Sequence, residues 1–244
     1  MRRGWRSGLL ALLMTASGGQ AMSATVPARY LALGDSYTIG ESVAVDARWP
    51  NQLAARLRAE GVDLAPPQII ARTGGTTDEL SAALDALARG ETVSLSDDEQ
   101  ARAPAPPYAL VSLLIGVNDQ YRGRPVTAAR SEFQALLQRA IAYAGGAPER
   151  VLVLSIPDWG VTLFARAHGR DGAQVAIEID AYNADQRALC AAAGVRYIDI
   201  TAGTREAAVR PELLAADGLH PSALDYARWA EAALAAARAA LAFP

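Results

Sequence analysis

The sequence predicts one α/β domain built on a parallel sheet, and three observations carry that expectation. Five short apolar runs, Tyr30 to Leu33, Gln68 to Ala71, Tyr108 to Ile115, Val151 to Ser155 and Arg196 to Ile200, alternate with longer helical patterns. Such alternation argues strands joined by helical crossovers, with helices on both faces of the sheet. The 244 residues are 51% hydrophobic, enough for one sizeable core, and the low aromatic share of 6% with abundant alanine suits helices packed closely on a sheet.

Before the first run stands a stretch of different character. Arg2, Arg3 and Arg6 precede an apolar run from Leu9 to Ala16 and then small residues from Ser17 to Ala21, the order of a secretory signal peptide. Residues 1–21 are therefore expected to be a leader, with Ala24 as the other cleavage point, and residues 25–244 a single domain. The other reading is an amphipathic first helix of the folded domain. The apolar core is too short to span a membrane, so no stable membrane insertion is expected. No cysteine follows the leader to carry a lipid anchor, and the expected location is secreted or periplasmic. Removing Met1 to Ala21 takes three of the 23 Lys+Arg and none of the 26 Asp+Glu, leaving a net charge of −6. An acidic domain has little electrostatic reason to bind nucleic acid or anionic membrane surfaces.

In order, the helices are expected over Trp49 to Glu60, Thr77 to Arg89, Thr127 to Tyr143, Gln174 to Ala193 and Ser222 to Leu241. Gly61, Gly90, Gly145 and Gly194 stand near the ends of the first four, where a left-handed residue commonly closes a helix. Ser222, after Pro221, is a candidate N-cap for the fifth. Right-handed crossovers of these lengths give a doubly wound sheet. Cys190 is the only cysteine; it can form neither an internal disulfide nor a structural zinc site, and its neighbours suggest a small buried residue on a helix face. Two segments escape the pattern. Glu91 to Pro107 is polar and then proline-rich, a surface excursion that reads either as a linker or as a substrate-facing lid; Pro157 to Gly172 is the other long irregular stretch.

Chemistry concentrates where the first run stops. Gly34 ends it, and a strand stopped by glycine delivers Ser36 to the rim of the sheet. A serine hydroxyl needs a base, and the chain has two histidines. His220 lies in Ala216 to Pro221, reading ADGLHP, with Asp217 three residues before it on a tight turn. That spacing lets a carboxylate hold Nδ1 and leaves Nε2 free to accept a proton. On spacing alone, Gly-Asp-Ser could equally be turn chemistry. Two further segments weigh against that: RTGGTTDEL from Arg72 to Leu80 and IGVNDQ from Ile115 to Gln120, each following an apolar run and so expected at the same sheet edge.

GDS, a glycine in the second block, GxND and DxxH near the C-terminus, in that order, resemble the SGNH or GDSL-type hydrolase family over nearly the whole chain after the leader. The resemblance implies a three-layer α/β/α fold with a five-stranded parallel sheet in the flavodoxin-like order 2-1-3-4-5. It implies Ser36 as nucleophile, His220 as base and Asp217 as its orienter. It also implies three oxyanion donors: the Ser36 N–H, the N–H of a block-two glycine and the Asn118 side-chain amide. Asn118 carries two amide protons that the neighbouring Asp119 lacks. Of Gly74 and Gly75, the family pattern points to Gly74, although Ala71-Arg72-Thr73 departs from the usual lead-in.

Asp35 adjoins Ser36 but points elsewhere and is expected to tie down its loop through backbone N–H groups. Trp49, Trp159 and Phe164 are candidate pocket walls; core packing suits Trp49 better, and Trp159 is the expected substrate contact. His168 reads as an exposed loop residue. No G-x-G-x-x-G, P-loop or metal-spaced His/Asp/Glu cluster is present, so neither cofactor nor metal is expected. The resemblance thus implies a secreted serine esterase acting on lipid, lysophospholipid or small acyl esters through an acyl-enzyme. A carbohydrate O-acetylesterase of the same fold is the alternative, and a non-catalytic glycan- or lipid-binding domain the rival from another class. The oligomeric state is not implied.

Overall fold

Three strands in which every residue is buried form the centre of the molecule: β1 (Tyr30–Asp35), β3 (Leu110–Leu114) and β4 (Val151–Leu154). Their unbroken apolar character follows from having helices on both faces. The two flanking strands, β2 (Gln68–Arg72) and β5 (Arg196–Ile198), are only partly buried, as edge strands are. In the computed structural model, which describes Met1 and residues 26–95 and 99–242, all neighbouring pairs are parallel and the order is 2-1-3-4-5. Beyond Met1, the predicted leader and both of its cleavage points lie outside the described residues.

Among the described residues, five long helices complete the three layers: α1 (Trp49–Ala59), α2 (Thr77–Ala88), α3 (Val126–Tyr143), α4 (Gly172–Ala193) and α5 (Ala223–Leu241). Leu53 and Leu57 of α1 and Trp229 and Ala233 of α5 fill one face. Leu80 and Leu84 of α2 and Phe133 and Leu136 of α3 fill the other. The fourth helix serves both faces, with Val175 and Ile179 in the first core and Leu189 and Cys190 in the second. Cys190 is fully buried, and burial pushes its thiol up to about 12, so it stays a protonated packing group. Trp49 is likewise fully buried in the first core, which takes it out of the pocket. Ser222 does occupy the N-cap of α5, but its hydroxyl donates to the Glu212 carbonyl at 2.7 Å instead of capping.

The irregular stretch after α2 is more than a plain linker. Val93–Ser94 and Gln100–Ala101 pair as an antiparallel hairpin whose Leu95 is buried in the second core. Gln68 of β2 donates to the Arg102 carbonyl at 2.8 Å, so the excursion covers the sheet beside its edge strand. Among the described residues, no helix is long and apolar enough to cross a membrane.

The register brings the chemistry to one edge. Gly34 pairs with Ala71 on one side and Leu114 on the other, so the C-terminal ends of β1, β2 and β3 finish together. Close approach demands glycine there: a Cβ on Gly34 would lie 2.2 Å from Thr38 Oγ1 and 2.5 Å from the Leu114 carbonyl oxygen.

Candidate active site

Directly after β1 the chain turns into a short helix, Ser36–Ile39. Asp35 is its N-cap and accepts the Tyr37 N–H at 3.0 Å, the loop-tying role its position suggested. Asp35 is fully buried, and burial raises its carboxyl from 3.8 to about 8; the Tyr37 bond offsets part of this and the charge of Asp119 adds to it. Folded Asp35 thus retains a proton that the unfolded chain gives up. This contribution favours the fold fully below 3.8 and is lost as the pH rises through about 8. Asp35→Asn is therefore expected to flatten the fall of Tm across that window; parallel Tm curves for variant and parent would contradict it.

Beyond β2, the loop Thr73–Thr76 supplies Gly74, in the left-handed region at φ 75°. The Gly75 N–H donates back to the Arg72 carbonyl at 3.0 Å, whereas Gly74 lines the cleft. Of the two glycines, Gly74 is accordingly the one whose N–H is not engaged by the turn. Following β3, Gly116 at φ 120° leads into the helix Val117–Tyr121. Asn118 donates its amide to the Gly75 carbonyl at 3.0 Å and reaches Asp35 Oδ2 at 3.5 Å.

The last contribution comes from the loop before α5. Asp217 sits in a turn closed by Gly218 at φ 67°, and one of its oxygens accepts the Leu219 and His220 N–H groups, each at 2.9 Å. Its other oxygen meets His220 Nδ1 at 2.6 Å and accepts the Ser42 hydroxyl at 2.7 Å. Burial alone would raise the Asp217 carboxyl, but the Ser42 and His220 bonds and the two N–H groups outweigh it and hold the pKa at about 2. The ring of Tyr37 lies 5.2 Å from the imidazole and packs against it.

These pieces meet in one cleft of about 200 Å³ lined by Ser36, Gly74, Asn118 and His220. Tyr37, Tyr121, Trp159 and Phe164 form its aromatic walls. Trp159 is a wall, as its position suggested, but only 2% exposed: its indole N–H donates to Gln120 Oε1 at 2.7 Å, and Gln120 donates in turn to Glu178 at 2.6 Å. His168 is exposed and stacks on Phe164 at 4.0 Å. Reasoning from sequence missed Ser42, Gln120 and Tyr121. Tyr121 had a signal, since it follows Asn118 by three positions on a helix and shares its face. Ser42 had none, lying 175 residues from its partner.

One acidic group converges that linear spacing did not reveal. Asp78, Asp119 and Glu132 come within reach of a common point. Arg124 pairs with all three, at 2.9, 2.7 and 2.7 Å. Asp119, fully buried, also accepts the Thr77 N–H at 3.0 Å and the Thr77 hydroxyl at 2.9 Å, locking the start of α2 to the end of β3.

Residues 32–228 match the GDSL-like Lipase/Acylhydrolase family. Among solved structures, the chain is similar to a member of the lipolytic G-D-S-L family from Veillonella parvula, with 20% identity, 85% of this chain and 96% of that one covered, and a TM-score of 0.59. It is similar to the psychrotrophic esterase EstA from Pseudoalteromonas sp., at 17% identity, 86% and 96% coverage and TM-score 0.59. It is similar also to Axe2, an acetylxylan esterase from Geobacillus stearothermophilus, at 16% identity, 89% and 95% coverage and TM-score 0.59. No curated protein matches the chain by sequence. These likenesses agree on the fold, while the family match runs from within β1 into α5 and takes in every segment that lines the cleft. The chain belongs to the GDSL-like lipase/acylhydrolase family and is a carboxylic ester hydrolase.

Proposed function

We propose that the protein hydrolyses short-chain carboxylic esters through an acyl-enzyme formed on Ser36. The observation that carries this reading is the 2.6 Å contact between Asp217 and His220 Nδ1 in a cleft that Ser36 also lines. With Asp217 ionised, Nδ1 keeps its proton and Nε2 presents a lone pair to the Ser36 hydroxyl. Nε2 takes the hydroxyl proton as Ser36 Oγ attacks the ester carbonyl, then returns it to the departing alkoxide. Water repeats the sequence, and the acid leaves with the serine restored.

The charge that develops on the carbonyl oxygen is met by the Ser36 and Gly74 N–H groups and by Asn118. One amide proton of Asn118 is held by the Gly75 carbonyl; the other faces Asp35 at the long distance of 3.5 Å. With its pKa near 8, Asp35 is largely uncharged at neutral pH and competes weakly for that proton, which leaves it to an oxyanion. Asn118→Ala is expected to lower kcat by roughly 10²-fold or more, the scale of one oxyanion donor; an unaltered kcat would remove Asn118 from this role.

The cleft, at about 200 Å³, is smaller than the roughly 300–1,000 Å³ of pockets that hold drug-sized ligands, which supports short acyl groups. A panel from p-nitrophenyl acetate to p-nitrophenyl palmitate tests this: turnover should peak at the short end, and a peak at palmitate, or no turnover, would overturn it. The likeness to an acetylxylan esterase, together with aromatic walls on which a sugar can stack, supports an acetylated glycan as a second reading, tested by acetate release from acetylated xylan. The arginine-led, apolar N-terminus supports export to the periplasm or medium.

A further inference from the structure

We propose that the cleft has an anion subsite at its mouth, formed by Arg170, which receives a phosphate or carboxylate group carried by the ester substrate; this rests on the esterase reading above. The guanidinium of Arg170 lies over the rings of Trp159, at 5.0 Å, and Tyr121, at 5.4 Å, and both rings are walls of the cleft. Contact with two rings at once restrains an otherwise mobile side chain. Arg170 is an exposed residue, which suits its in-plane N–H donors to a group arriving from solvent. A guanidinium so held is suited to two parallel bonds with a phosphate or carboxylate.

Arginines elsewhere on this acidic chain are commonly matched to a carboxylate, as Arg56, Arg89, Arg124, Arg139 and Arg205 are. Arg170 has no such ion pair among the described residues. Neither carboxylate beside it closes an ion pair with the guanidinium. Glu178, near enough to feel its charge, accepts from Gln120 and Gln174, and Asp171 caps α4 through the Ala173 and Gln174 N–H groups. A cation held over two aromatic rings, without a salt bridge among the described residues and beside an apolar cleft, describes a receptor for an ester with a charged end: the acyl group goes between the aromatic walls and the anion meets Arg170.

Matched ester pairs test this on the mature protein, with butyryl glycerol 3-phosphate against monobutyrin for phosphate and 4-acetoxybenzoate against its methyl ester for carboxylate. In at least one pair the anionic member should show a kcat/KM about tenfold above its neutral partner, the scale of one charge-assisted contact. The pair that responds identifies the anion. Arg170→Gln should remove most of that excess through KM, Arg170→Lys should restore part of it, and added salt should shrink it. The proposal is overturned if neither anionic ester is favoured, or if Arg170→Gln lowers both members of a pair equally, as a mere prop for Trp159 would. Failure to hydrolyse even the neutral esters would overturn the esterase reading itself, and the subsite with it.

Discussion

Replacing Ser36 with alanine is expected to lower kcat toward a short-chain p-nitrophenyl ester by roughly 10⁴- to 10⁶-fold, the range found when one member of a working triad is removed. The loss should appear in kcat, because the aromatic walls of the cleft are untouched. Ser36 is 4% exposed and its carbonyl, which accepts the Gly40 and Glu41 N–H groups at 3.0 Å, survives the substitution, so unfolding should be little altered. Groups that act as one unit are not additive, and a Ser36→Ala/His220→Ala double variant should be scarcely slower than either single one. Steady-state kinetics with a check for contaminating esterase settles the matter: a Ser36→Ala enzyme at parental rates would mean that another group attacks the ester.

Asp119→Ala should produce the largest loss of stability. The change removes a fully buried carboxylate from the Thr77 N–H, the Thr77 hydroxyl and Arg124, leaving the buried Thr77 N–H without its acceptor and the guanidinium short of one of its three carboxylates. Breaking a buried ion pair from one side costs about 3–5 kcal/mol, and at about 2–4 °C per kcal/mol for a chain of this size Tm should fall by roughly 6–20 °C. Glu132 and Asp78 remain to hold Arg124, which favours the lower end. Asp119→Asn, which keeps an acceptor for Thr77, should lose less. Calorimetry on the two variants provides the comparison, and equal losses would show that the hydrogen bonds to Thr77 contribute nothing.

Much of this architecture was legible because it is written in local periodicity. Strands and helices were recognisable from apolar runs, helix patterns and closing glycines, and each long element lies within a few residues of its expected bounds. Asp217 and His220 were legible for the same reason, being three residues apart in one turn. What escaped has no local signature. The Val93–Ser94 hairpin is two residues wide, too short to show an alternation. Ser42 finds Asp217 only because the loops after β1 and before α5 cross the same edge. Gln120 looked like one more polar residue in a motif until folding put Trp159 on one end of its amide and Glu178 on the other. The Arg124 cluster likewise draws from α2, the turn after β3 and α3, a convergence visible only in three dimensions.

Gly34 stands where β1 closes on β3. Its hydrogen atom faces Thr38 and the Leu114 carbonyl across a gap that admits no methyl group. The first letter of the Gly-Asp-Ser signature therefore records how tightly one strand abuts its neighbour, whereas the third is the one proposed to attack the ester. A genome survey that scores the signature as a block would count descendants that have lost the hydroxyl but kept the scaffold; weighting the serine apart from the glycine separates living enzymes from their inert cousins.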